Sequence, residues 1–176
     1  VLLLEQHRIP GGYCTSFKRK GFTFDVPSVL SDLSVLEELG LADQIEWVEV
    51  ENFARYVYPD VDVVIPGNDL AACRDNVKGV FPEETEAIDR IFEQISRNNL
   101  VQLATKTDKS FTDVASMAPA LVRFLWNSRV SFHDFLSRFT ANEKLITVLS
   151  SMWGFAGLPN KQIPASQMLM HSANSY

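Results

Sequence analysis

VLLLEQHRIPGGYCTSFKRKGFTFD, residues 1–25, opens on the apolar run Val1–Leu4 and then meets Glu5 and Pro10-Gly11-Gly12. A fully apolar run predicts a strand buried on both faces of a parallel sheet, because a half-exposed strand would alternate polar with apolar. The adjacent glycines predict a tight loop, since glycine reaches positive φ without steric cost. Phe22–Val26 reads as a second short strand.

Outward from this stretch, Ser28–Leu39 predicts a helix with Val29, Leu33 and Leu36 on one face. Gly40 sits where a helix is expected to end, and apolar Leu41 follows it. The pattern then shortens. Ile45–Val50, Ala54–Tyr58 and Val61–Ile65 predict three strands of an antiparallel meander, with Pro59-Asp60 turning between the last two and Pro66-Gly67 closing it. From Asp69 onward the period becomes helical. Ile88, Ile91, Phe92 and Ile95 recur at i, i+3, i+4, i+7 behind Glu83, Glu84 and Glu86, acids that suit the positive end of a helix. Ser131 with Asp134, and Thr140 with Glu143, have the spacing of helix-capping pairs. The first pair precedes Phe132, Phe135, Leu136 and Phe139; the second precedes Leu145, Ile146, Leu149 and Trp153. Pro159 interrupts, and a last helix is expected from about Ala165 towards Tyr176.

Composition bounds the function. The 176 residues are 46% hydrophobic and 22% charged, ordinary for a folded chain, with net charge -6. That balance argues against a nucleic-acid partner, which needs clustered cations; Lys18-Arg19-Lys20 is a single short cluster. Cys14 and Cys73 stand alone without C-x-x-C spacing, so two free thiols in a reducing, cytoplasmic compartment are expected. His7, His133 and His171 lie far apart without metal-ligand spacing, and no metal site is expected. No triad or acid–base pair stands out, so no catalytic residue is assigned.

Glu5 is the first candidate for binding chemistry. In a dinucleotide fold, an acid ending the second strand accepts hydrogen bonds from the adenosine ribose, two carboxylate oxygens matching two vicinal hydroxyls. A solvated glutamate at a strand end would look the same on its own. The conjunction adds weight: apolar strand, Glu5, spacer, Gly11-Gly12, then Ser16-Phe17 and Gly21-Phe22-Thr23-Phe24-Asp25.

Carrying that conjunction, VLLLEQHRIPGGYCTSFKRKGFTFDV resembles the FAD-dependent phytoene desaturase, carotenoid isomerase and retinol saturase group of oxidoreductases. VFPEETEAIDRIFEQI and LSSMWGFAGLPNKQIPASQMLMHSANSY resemble later stretches of the same group, in the same order. The resemblance implies an α/β architecture: a partial FAD/NAD(P)-binding Rossmann-like domain at residues 1–44, with an inserted, helix-rich α+β substrate domain at 45–176. It implies FAD as cofactor, with Glu5 on ribose, Gly11 and Gly12 letting the loop approach, and Ser16 and Asp25 as further cofactor contacts. It also implies an apolar, polyene- or isoprenoid-type substrate and flavin hydride chemistry. The group's first strand carries G-x-G-x-x-G for the pyrophosphate. No G-x-G occurs here, so the sequence is expected to be an internal fragment, needing other parts of its parent chain. Departures from the group's pattern are Arg8-Ile9 before the glycine pair, Tyr13 after it, and Pro27 where a glycine usually follows FTFDV.

Two alternatives stay open: a non-catalytic module that binds an apolar ligand or a partner protein, and a flavoprotein of the amine oxidase type. Phe124, Trp126, Phe132, Phe135, Phe139, Trp153 and Phe155 could line a channel for an apolar substrate, but helical spacing alone accounts for them as core. Met117 and Ala118–Trp126 read first as a core helix, and second as a peripheral membrane contact.

Overall fold

The computed structural model describes the chain apart from residues 1, 3, 10, 11, 13, 14, 27–36, 45, 47–49, 68, 98–110 and 176, and the side chains of 25, 26, 111–117, 153, 155, 171 and 173–175. The chain divides into two compact units, Val1–Val48 and Glu49–Tyr176.

The first unit holds a β-hairpin. Strand β1 (Thr15–Arg19) pairs antiparallel with β2 (Phe22–Val26), in a register that sets Phe17 opposite Phe24 and Arg19 opposite Phe22. Lys20 and Gly21 make the turn, with φ of 51° and 83°. Two successive positive φ values are what a two-residue turn needs to match the right-handed twist of its strands. The predicted strand Phe22–Val26 is present, but its partner is β1, which sequence patterning did not single out.

The buried parallel strand expected at Val1–Leu4 is absent at the described positions. Leu2 and Leu4 carry no strand and are 83% and 82% exposed. Burial on both faces requires neighbouring strands and covering helices, and the only sheet in this unit, among the described residues, is the two-stranded hairpin. The α/β character therefore rests on small antiparallel sheets and helices. The expected helix Ser28–Leu39 falls largely outside the described residues. Its end, Glu37–Glu38, is helical, and Gly40 has φ +67° with its N–H donating to the Glu37 carbonyl at 3.0 Å. That is the left-handed conformation a helix-terminating glycine supplies.

The second unit builds from a hairpin upward. Strand β3 (Asn52–Tyr58) pairs antiparallel with β4 (Val61–Pro66), with an irregularity between Asn52 and Ala54. Val61, Val63 and Ile65 are buried while Asp62 is exposed, the period of two that gives a strand one wet face. The third strand of the expected meander, Ile45–Val50, lies mostly outside the described residues, and Val50 itself carries no strand. Gly67 closes the hairpin. Its N–H reaches the Glu51 carbonyl at 3.1 Å, and a Cβ there would stand 2.9 Å from the Val50 carbonyl oxygen.

Helix α1 (Leu70–Val80) is capped by Asp69, whose Oδ1 accepts the Ala72 N–H at 2.8 Å, and it buries Cys73 and Val77. A 3₁₀ turn at Pro82–Glu84 leads into α2 (Thr85–Arg97), which buries Ile88, Ile91, Phe92 and Ile95, the four residues its spacing selected. Each contributes ~1.5–3 kcal/mol by leaving water. Helix α3 (Phe111–Asn127) follows. Helix α4 (Phe132–Leu136) is capped by Ser131, whose Oγ accepts the Asp134 N–H at 3.0 Å.

Helix α5 (Glu143–Leu149) corrects an expectation. Its cap is Asn142, whose Oδ1 accepts the Lys144 and Leu145 N–H groups at 3.1 and 3.2 Å, and not Thr140. Thr140 sits two residues earlier and ties the cap in place: its hydroxyl accepts the Asn142 N–H and donates to Glu84 Oε2, each at 2.9 Å. A short helix α6 (Trp153–Ala156) and the last helix α7 (Ala165–Ser175) complete the unit. The α7 N-terminus is laced to α4, the N–H of Phe132 reaching Ile163 O and that of Ala165 reaching Val130 O, both at 2.9 Å.

Helix α3 overturns the preferred reading of Ala118–Trp126 as a core helix. Leu121, Val122, Leu125 and Trp126 are exposed, Trp126 at 66%. The segment is apolar nearly all round, so its periodicity could not say which face is covered.

Candidate functional site

Glu5, Gly11, Gly12, Ser16 and Asp25 all belong to the first unit. Glu5 is exposed and lies on irregular backbone, and its Oε1 accepts the His7 N–H at 2.7 Å. That local bond fixes the carboxylate beside its own backbone. Among the described residues it leaves Oε2 with no hydrogen bond, available to a ligand hydroxyl. Glu5 ends no strand, so the position an acid takes in a dinucleotide fold is not reproduced by a strand here.

Gly11 lies outside the described residues. Gly12 has φ +58°, and a Cβ built on it would meet nothing within 4 Å. Its glycine is therefore required by conformation, and the space beside it is open. Ser16 lies exposed on β1 directly across the ladder from Asp25 on β2. The hairpin register thus brings together two candidates that stand nine positions apart in the chain. The Asp25 side chain lies outside the described residues. Sequence patterning missed this juxtaposition because β1, with Lys18 and Arg19 in it, has no apolar alternation to announce a strand.

The aromatic residues of the second unit separate into groups. Phe132 and Phe135 are buried in the core and their rings stack at 6.3 Å, with Phe139 tilted against Phe135 at 5.3 Å. Trp126 is exposed, and the side chains of Trp153 and Phe155 lie outside the described residues. The core between Cys73, Ile91, Phe92 and Phe132 leaves room of only about 10 Å³, roughly one water or less. No polyene enters there. Open grooves do exist. One of about 320 Å³ runs along Tyr58, Pro59, Val61, Lys144 and Thr147; another of about 490 Å³ runs along Leu70, Arg74, Phe92, Glu93 and Arg97.

The first groove is framed by pins that sequence reading did not find. Tyr58 Oη lies 2.8 Å from Ser151 Oγ, and Lys144 Nζ lies 2.7 Å from Asp60 Oδ2, so the β3–β4 turn is held to α5. The Lys144 ammonium, by its hydrogen bond and its charge, keeps the Asp60 carboxyl below the ordinary carboxylate range. Burial pushes the Cys73 thiol up to about 12 and the Tyr56 hydroxyl to about 12. A thiol in that state is not a nucleophile at neutral pH. Among the described residues no group of three or more His, Cys, Asp or Glu side chains could hold a metal ion, and no helix is long and apolar enough to cross a membrane.

No family model matches the chain. Curated relatives do. A lycopene-forming phytoene desaturase of Pantoea ananas is 30% identical over 139 residues, covering 73% of this chain and 28% of the relative. An all-trans-retinol 13,14-reductase of Danio rerio is 30% identical over 197 residues, covering 98% of this chain and 31% of its own length. A second Danio rerio protein, named an inactive all-trans-retinol 13,14-reductase, is 24% identical over 97% of the chain. The chain spans about a third of the length of the curated relatives it matches.

Proposed function

We propose that this chain, a relative of the phytoene desaturases and retinol 13,14-reductases, forms part of an FAD-dependent oxidoreductase acting on a polyene or isoprenoid-type apolar substrate. The observation that carries the proposal is the similarity to a retinol reductase along 98% of the chain, joined by a phytoene desaturase along 73% of it. One relative is named for removing hydrogen from a polyene and the other for adding it, so the shared chemistry is redox at an apolar carbon framework.

When bound, the flavin would accept or donate the hydride, and the protein would supply binding, orientation and exclusion of water. The residues present fit the adenosine half of such a cofactor. Glu5 offers Oε2 to a ribose hydroxyl while the His7 N–H holds Oε1. Gly12, with positive φ and open space beside it, lets backbone approach the ligand; Gly11, its neighbour in sequence, is a candidate for the same contact. Ser16 and Asp25, paired across the hairpin, are candidates for further polar contacts. In this reading residues 1–44 belong to the cofactor-binding part and 45–176 to the substrate part. The pyrophosphate cradle is not among these 176 residues, because no G-x-G occurs in them.

A titration of the chain with FAD, and with ADP-ribose as competitor, tests the assignment. Weak saturable binding is expected, displaced by ADP-ribose and weakened roughly tenfold or more by Glu5→Gln, which removes a charge-assisted hydrogen bond. Equal binding by the Glu5→Gln variant, or no saturable binding, would defeat the assignment of Glu5. The relative named inactive, 24% identical over 97% of the chain, favours a second reading, a non-catalytic module that binds an apolar ligand or a partner protein, because likeness along the chain does not by itself carry activity.

A further inference from the structure

The β1–β2 hairpin carries chemistry that the flavin reading does not use. Phe17 and Phe24 stack at 5.2 Å, and Phe22 tilts against Phe24 at 6.4 Å. Yet the three rings remain 50%, 45% and 69% exposed. Mutual stacking has not hidden them, so a contiguous aromatic face stands in water. Cations accompany it. Arg19 faces Phe22 across the ladder on the aromatic side, Lys20 is in the turn, and Lys18 lies on the opposite face of β1. All three are exposed. Residues 1–26, through the end of the hairpin, hold Arg8, Lys18, Arg19 and Lys20 against Glu5 and Asp25, within a chain of net charge -6. The local charge therefore runs against the charge of the whole.

From this we infer that the β1–β2 hairpin docks on an anionic lipid surface. The rings alone would suit any apolar partner; the cations select a negatively charged one. Aromatic rings settle at the boundary between headgroups and acyl chains, while Lys and Arg stems reach the phosphate level, so a narrow tip holding both suits an interface. The exposed face of α3 is the rival candidate, but it lacks such a cluster: between Asp113 and Asp134 its charges are Arg123 and Arg129 only. Nothing there selects a partner.

The inference is independent of FAD, and its test needs none. The 176-residue chain is sedimented with phosphatidylcholine vesicles, with and without phosphatidylglycerol. Binding is expected only with the anionic lipid and should weaken as salt is raised. The K18Q/R19Q/K20Q variant should lose roughly a hundredfold in affinity, and Phe22→Ser should also weaken binding. Circular dichroism of each variant checks that the fold is kept. These changes are at exposed positions, and Phe22→Ser is read separately should the triple variant fail to fold. The inference is overturned by equal binding to neutral vesicles, by wild-type affinity in both variants, or by anionic binding that survives Phe22→Ser while single-stranded DNA competes fully. The last result would mark a mere polyanion site.

Discussion

Replacing Thr140 with valine removes one oxygen atom from a nearly buried place and keeps the shape of the side chain. Thr140 is 6% exposed. Its hydroxyl accepts the Asn142 N–H and donates to Glu84 Oε2, each at 2.9 Å. The first bond positions the residue that caps α5, and the second ties the cap to the turn before α2. Thr140→Val loses one neutral hydrogen bond, worth ~0.5–1.5 kcal/mol, and one to a charged acceptor, worth ~1.5–3 kcal/mol. Glu84 is only half-buried, so water recovers part of the second value. The expected loss is about 2 kcal/mol, or about 4–8 °C in Tm for a chain of this size. Thr140→Ser keeps the hydroxyl and gives up a methyl group, so it should cost only about 1 kcal/mol. Urea unfolding followed by far-ultraviolet circular dichroism measures both. A Thr140→Val loss no greater than that of Thr140→Ser would refute the role of the hydroxyl. A further check is coupling: Asn142→Ala alone should cost ~1 kcal/mol, and the two losses should fall short of additive if Thr140 acts through the cap.

Other outcomes follow from the same geometry. Gly67→Ala places a Cβ 2.9 Å from a backbone oxygen that cannot rotate away, and should cost ~1–3 kcal/mol in thermal unfolding. In a Cys14→Ser background, Cys73 should stay unreactive to a disulfide reagent at mildly alkaline pH until urea unfolds the chain, because burial holds its thiol near 12; rapid labelling of the folded protein would contradict its burial. The Asp60 carboxyl is held below its ordinary 3.8 by Lys144. The pair's contribution should therefore be present above that value and fade as pH falls through the lowered one. Any stability gap between the wild type and Lys144→Met should close in acid, and a gap that widened there would reverse the sign.

Helix α2 was legible residue by residue, because Ile88, Ile91, Phe92 and Ile95 form an isolated apolar stripe between charged neighbours and only one face could be buried. The β3–β4 hairpin was equally plain, since Pro59-Asp60 fixes a turn between two short apolar runs. Ser131 was read correctly as a cap and Thr140 was not. Both have the right spacing, but Asn142 stands closer to α5 and wins the N–H groups, leaving Thr140 to bridge to Glu84, 56 positions away. Spacing along the chain cannot see a partner that distant. Of the candidate cofactor residues, the sequence supplied identity: an acid, a glycine pair, a serine and an aspartate. It did not supply geometry.

Four features could be read from residue order: the family to which the chain is related, the helical stripe of α2, the turn of the second hairpin and the glycine at the end of the helix near residue 39. Each of these is local, depending on residues a few positions apart and on conformations that glycine or proline alone permits. Tertiary structure decided which apolar segments are covered. Val1–Leu4 reads as core, yet Leu2 and Leu4 stand in water. Ala118–Trp126 reads as core, yet Leu121 and Trp126 are exposed. It also decided that Ser16 and Asp25 meet, through a strand whose cations disguise it. Hydrophobicity states that a segment gains by burial; only the presence of a surface to bury it against settles whether it does.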